Sequence, residues 1–162
     1  MENLYNFQTA RHIIAGQNSI HSLKDYIDLS RVKAKSALIV TQPSIKKQGF
    51  VHQIVDQLFS IGIQSDITTG ILPEPTVENI EAVYKSTAKN TYDILIGMGG
   101  GSVLDATKIL SVLRTNNRSI SELLGTDLVE RPGIPTVLIP STSGTGSEVT
   151  PNAIVTLPDE EL

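Results

Sequence analysis

The sequence predicts an α/β domain, a mostly parallel sheet flanked by helices. Three observations carry that expectation. Short apolar runs with strand character alternate with segments of helical period along the chain. The connections are long enough for right-handed crossovers between parallel strands. Two polar, glycine-rich stretches directly follow apolar runs, residues 99–108 after 93–97 and residues 140–150 after 136–139.

The elements follow in order. Residues 7–15 alternate enough for a first strand, which Gly16 closes with turn chemistry. Ser19, Ile20, Leu23, Tyr26 and Ile27 recur at helical spacing, with Ser19 as the candidate cap. Residues 36–41 form a compact apolar strand that ends at Gln42-Pro43-Ser44. Val51, Ile54, Val55, Leu58 and Phe59 repeat at helical period up to Gly62. Residues 63–69 read as a strand, and Gly70 with Pro73-Glu74-Pro75 as a loop. Val77, Ile80, Val83 and Tyr84 mark another amphipathic helix. Residues 93–97 are a strand, 103–113 the helix beyond the glycines, 135–140 a strand, and 153–157 one more. No internal repeat, low-complexity segment or long linker interrupts the order.

A chain of 162 residues suits one domain with a sizeable core. Its net charge of −4, with no basic run, argues against nucleic acid or an anionic membrane as partner. Cysteine is absent, which excludes disulfides, a thiolate metal site and a cysteine nucleophile. No apolar run approaches the roughly 18 residues of a membrane-spanning helix. The start, Met1-Glu2-Asn3, lacks the basic-then-apolar order of a signal peptide. A cytoplasmic location is the expectation.

Glycines at a strand's carboxyl end let backbone N–H groups approach an anion with no side chain in the way. A helix starting at Ser102 would add its positive end to the same spot. The second stretch supplies hydroxyls, from Ser141, Thr142 and Thr145, that suit phosphate or ribose oxygens. Together they read as a dinucleotide diphosphate site. A plainer account of the first stretch is a capping box, Ser102-x-x-Asp105. The run Gly97-x-Gly99-x-x-Ser102 also misses the third glycine of G-x-G-x-x-G. The hydroxyls of the second stretch favour binding. The ordinary Rossmann pattern places its glycines after the first strand. Here that turn is Thr41-Gln42-Pro43-Ser44, and the glycines come two strand–helix units later.

The runs Gly99-Gly100-Gly101-Ser102-x-x-Asp105-x-x-Lys108 and Ser141-Thr142-Ser143-Gly144-Thr145-Gly146-Ser147-Glu148-Val149-Thr150 carry a resemblance. With Arg11-His12-Ile13-Ile14-Ala15-Gly16, Leu38-Ile39-Val40-Thr41 and Pro73-Glu74-Pro75-Thr76, they resemble the iron-containing (group III) alcohol dehydrogenases over nearly the whole chain. The resemblance implies a Rossmann-like sheet, the N-terminal half of the dehydroquinate synthase-like fold. Residues 1–162 would then be one dinucleotide-binding domain, a fragment of a two-domain enzyme whose C-terminal helical metal-binding domain is absent. The implied activity is hydride transfer between an alcohol and an aldehyde or ketone, with NAD or NADP as cofactor. Fe2+ or Zn2+ would polarise the oxygen, held by an aspartate and three histidines of that second domain. No catalytic or metal residue is therefore expected here, and the chain alone should be inactive. His12, His21 and His52 lack ligand-like pair spacing and read as structural. A maleylacetate reductase-like relative and a stand-alone, non-catalytic dinucleotide-binding module are the alternatives.

The resemblance also implies roles for single residues. Gly99, Gly100, Gly101 and Ser102 match the diphosphate-binding loop. Ser141, Thr142 and Thr145 match the hydroxyl stretch near the diphosphate and the nicotinamide half. Asp105 matches a position near nicotinamide and substrate, although the helix dipole alone would favour an acid there. Lys108 shares its helix face, so the two are either an orienting pair or a solvated one. Glu148 reads as structural, accepting backbone or hydroxyl protons. Gln42 stands where many NAD-preferring members carry an aspartate for the adenosine ribose. It removes repulsion of a 2′-phosphate without supplying a positive partner, so NAD against NADP stays open. Glu74 is a second variable position, in the loop near the adenine end. The partners implied are a small alcohol or aldehyde and a possible homodimer, with the N-terminal strand as a pairing edge.

Overall fold

A computed structural model describes residues 9–29 and 32–157. Four strands, β1 Ser36–Thr41, β2 Gln64–Thr68, β3 Ile94–Gly99 and β4 Thr136–Pro140, form one parallel sheet. Their order is β2–β1–β3–β4. Helices α1 Leu23–Leu29 and α3 Phe50–Ser60 cover one face, and α4 Val77–Thr87 and α5 Gly101–Leu113 the other. A short α2, Pro43–Lys47, follows β1.

The strand period of two sorts side chains between two cores. Ala37 and Ile39 of β1, with Ile94, Ile96 and Met98 of β3, pack against α1 and α3. Leu38, Val40 and Leu95 pack against α4 and α5. On this second face β3 also carries Gly97 and Gly99, directly beneath α5. A Cβ on Gly97 would stand 2.5 Å from Thr107 Oγ1, and one on Gly99 would stand 2.8 Å from Val103 Cβ. Val103 and Thr107 lie one helical turn apart, so bare backbone lets α5 rest on the strand. That close seat fixes the start of α5 against the end of β3.

Several expectations change. No strand forms over the described part of residues 7–15, since residues 9–15 carry no regular structure; residues 7 and 8 lie outside the described residues. A strand needs a partner ladder, and here Thr9 Oγ1 instead donates to the Val149 carbonyl at 2.9 Å. Ile13 and Ile14 stay exposed. The strand over 153–157 reduces to one bridge, Thr156 to Thr76. Its ladder stops because the Ile154 N–H donates to the Asp105 carboxylate. Ser19 is not a cap: Asn18, left-handed at φ 61°, precedes a 3-10 turn over Ser19–Ser22 that leads into α1. Pro43 does not merely end β1; it opens α2 from the first helical position, where proline fits.

Candidate functional site

The chain leaves β1 for β2 on one side and returns to β3 on the other, so the order reverses between β1 and β3. In open parallel sheets the crevice beyond the strand carboxyl ends at such a point is the ligand site. Gln42 lies at the end of β1, Gly99 and Gly100 at that of β3, and Ser141 at that of neighbouring β4. Residues far apart in sequence thus meet on one rim.

Gly100 is the N-cap of α5, and its carbonyl receives the amides of Val103 at 3.0 Å and Leu104 at 3.1 Å. The amides of Gly101 and Ser102 have no helical carbonyl behind them. Across the turn, the Ser141 N–H donates to the Gly99 carbonyl at 2.8 Å, which seats the hydroxyl loop beside the glycines. A Cβ on Gly100 would meet Thr142 Oγ1 at 3.4 Å, and one on Gly101 would meet Ser147 Oγ at 3.3 Å. The result is a bare backbone floor beside hydroxyls, with Ser141, Thr142 and Thr145 exposed to solvent. Phosphate oxygens suit such a floor.

The capping-box account of Ser102 and Asp105 does not hold. Ser102 lies inside the first turn, and its Oγ accepts from the Glu74 N–H at 3.3 Å, tying the loop after β2 to the helix start. Glu74 is held at a left-handed φ of 49°. Asp105 is buried; its Oδ1 lies 2.8 Å from Lys108 Nζ, as an ion pair whose direction misses hydrogen-bond geometry, and its Oδ2 accepts from Ile154 N–H at 3.2 Å. The pair is therefore not a solvated one. Lys108 Nζ also donates to the carbonyls of Ser147 at 2.8 Å, Thr150 at 3.2 Å and Asn152. Glu148 Oε2 accepts from Thr145 Oγ1 at 3.2 Å, the structural role its position suggests. Gln42 is the N-cap of α2 without a side-chain cap bond, half-buried at the β1 end.

Sequence reasoning missed the Ser102–Glu74 link and the three carbonyls on Lys108. Neither has a local signature, because each joins segments at least 28 residues apart. His12, His21 and His52 are all exposed. Among the described residues no three His, Cys, Asp or Glu side chains are grouped to hold a metal ion. The metal that the resemblance implies has no donor set among the described residues. The bare backbone at Gly100 and Gly101, with the Thr142 and Ser147 hydroxyls beside it, suits the diphosphate of a dinucleotide.

Sheet order and the glycine turn at the switch point define a doubly wound α/β domain. A profile of the family described as iron-containing alcohol dehydrogenase matches residues 10–162, and the chain belongs to that family. It is 38% identical over 133 residues to "Long-chain-alcohol dehydrogenase 1" of Geobacillus thermodenitrificans, a match covering 80% of this chain and 34% of that protein. The crystal structure of an iron containing alcohol dehydrogenase superposes with a TM-score of 0.85 at 31% identity, over 96% of this chain and 43% of that one. Sulfoacetaldehyde reductase from Bifidobacterium kashiwanohense, solved in complex with NAD+, gives a TM-score of 0.79 at 27% identity, over 92% of this chain and 39% of that one. The chain thus spans only 34% of the length of that curated dehydrogenase.

Proposed function

We propose that these residues form the NAD(P)-binding domain of a metal-dependent alcohol dehydrogenase, which interconverts alcohols with aldehydes or ketones. The single observation that carries the reading is the meeting of the Gly100–Gly101 turn, the free amides of α5 and the Thr142 and Thr145 hydroxyls at the switch point. NAD or NADP, when bound, supplies the hydride acceptor, and in reduced form the donor.

The chain's own residues bind and orient. Gly100, Gly101 and Ser102, beyond the ladder that holds Gly99, receive the diphosphate on backbone amides, and the positive end of α5 opposes its charge. Ser141 and Thr142 donate hydroxyl protons to phosphate or ribose oxygens, while Thr145, whose proton goes to Glu148, offers its oxygen as an acceptor. Gln42 lies where the adenosine ribose would rest, and its neutral amide admits either cofactor. Asp105 contributes through Lys108 and the loop that the pair holds. Residues outside this domain would supply the metal site in a two-domain, cytoplasmic enzyme. The NAD+ complex of the related reductase and the alcohol dehydrogenase relatives support the reading.

Calorimetric titration of the chain with NADH and NADPH tests it. Saturable binding of either is the expected result. Absence of binding by both at millimolar ligand would overturn the proposal.

A further inference from the structure

We propose that Lys108 is a positioning residue, which holds the hydroxyl loop in register with the glycine turn and makes no contact with the ligand. A cation near a phosphate floor invites assignment as a phosphate ligand. The geometry points elsewhere. An ammonium has three N–H donors, and Lys108 directs them at the carbonyls of Ser147, Thr150 and Asn152. Its charge is balanced by Asp105 at 2.8 Å, and both side chains are largely shielded from water. No donor remains for an anion.

The loop needs such a hold. Gly144 at φ 94° and Gly146 at φ 68° sit in left-handed conformations, with open space where a Cβ would be. Glycine gives these positions the widest conformational choice. The loop's first residue is tied to β3 by the Ser141 N–H to Gly99 carbonyl bond. Its far end is tied by Lys108 at residues 147, 150 and 152, and by Asp105 at Ile154. Both of those side chains stand on α5, whose first turn offers the amides. One rigid helix therefore sets the amides and, through Lys108, the hydroxyls of Thr142 and Thr145. Their spacing does not depend on the loop's own stiffness.

The ligand consequence rests on the dinucleotide reading; the loop consequence does not. Lys108→Met removes the three donors and keeps the length of the side chain. It also leaves the Asp105 carboxylate buried without its cation, which endangers folding. The double variant Asp105→Asn with Lys108→Met is neutral and keeps an acceptor for Ile154. Each protein is followed by hydrogen exchange of residues 141–152 and by titration with NADH and with ADP, which lacks the nicotinamide half.

In whichever variant melts cooperatively, loop amides should exchange faster by about tenfold or more. NADH should weaken by about tenfold, and ADP by less, since ADP keeps the amides of α5 and loses only hydroxyl contacts to its phosphates. Unchanged loop exchange overturns the proposal, as does unchanged NADH affinity beside faster loop exchange. If the unaltered protein binds neither NADH nor NADPH, the dinucleotide reading fails and the exchange data alone decide the role of Lys108.

Discussion

The two ends of the sheet treat polar groups in opposite ways. At the carboxyl end, amides at the start of α5 have no helical partner and the hydroxyls of Thr142 and Thr145 face solvent. At the amino end, polar groups bond one another, with the buried Arg114 Nε the exception. Asp93 Oδ2 accepts from the amides of Lys35 at 2.8 Å and Ser36 at 3.0 Å, and from Ser36 Oγ at 3.1 Å. Tyr92 OH donates to Asp66 at 2.7 Å, and the Arg114 guanidinium lies 4.7 Å from the Tyr92 ring and 5.6 Å from that of Tyr84. Arg114 also donates to Thr87 Oγ1 at 2.8 Å, joining α5 to α4. One end spends its polar groups on bonds that stabilise the sheet. The other leaves amides and hydroxyls with bonding capacity to spare.

The contrast predicts which substitutions lose binding and which lose stability. The largest effect is expected for Gly100→Val. Its backbone, at φ −77° and ψ 180°, accepts a branched residue, and the nearest atom to the new Cβ is a hydroxyl at 3.4 Å. The fold should persist while the side chain fills the diphosphate space, costing about 3 kcal/mol or more of NADH binding. Titration beside a thermal melt checks both halves. Unchanged affinity would remove this turn from the site.

Gly97→Ala, three residues earlier, should do the reverse. Its methyl would collide with Thr107 and Leu138 in the α5 seat. A loss of about 1–3 kcal/mol of stability is expected from such overpacking. Urea unfolding measures it, and a neutral outcome would mean that α5 is not held as tightly as described.

Tyr92→Phe tests the closed end. It removes one bond to a carboxylate and should cost roughly 1 kcal/mol, with dinucleotide affinity intact. The bond also has a pH signature. Hydrogen bonds from Tyr92 and then Asn90 lower the pKa of Asp66, and those led by the Lys35 amide lower that of Asp93. A depressed carboxylate pKa stabilises the native state above the unfolded value of about 3.9, and that stability is lost as pH falls through the folded value. The variant's deficit should therefore be present at neutral pH and shrink on acidification below the unfolded value, in melts run across that range. Both carboxylates are exposed, so the change is modest.

The smallest effect concerns Glu74. A left-handed φ of 49° strains glutamate, and asparagine or glycine adopts it more readily. Glu74→Asn should raise stability by about 0.5 kcal/mol without loss of the amide bond to Ser102. A lower melting temperature would show that the carboxylate itself holds the loop.

The fold was legible wherever burial leaves a local trace. Apolar runs marked β1, β3 and β4, and helical period marked α3 and α4. Strand order left no such trace, since the reversal between β1 and β3 is set by tertiary packing. The strand expected over 7–15 alternated correctly, but alternation does not disclose whether a partner edge exists. Gly99 and Gly100 were legible as a turn. Gly97 and Gly99 as the seat of α5 were not, because their neighbours Val103 and Thr107 become visible only when helix and strand are stacked. The Asp105–Lys108 pairing followed from helical spacing. The partners that give Lys108 its place lie 39 to 44 residues downstream.

Pro140 has a consequence beyond the ladder it ends. In β4 the odd-numbered residues bond to β3, as the Leu95 amide to Pro135 carbonyl bond requires, so Thr136, Leu138 and Pro140 face outward. Proline has no N–H, and a strand from another molecule annealing along this edge would find outward donors only at 136 and 138. The ladder could not be extended toward the hydroxyl loop. Aggregation by edge pairing is thereby curtailed at the end of the strand that leads into the hydroxyl loop.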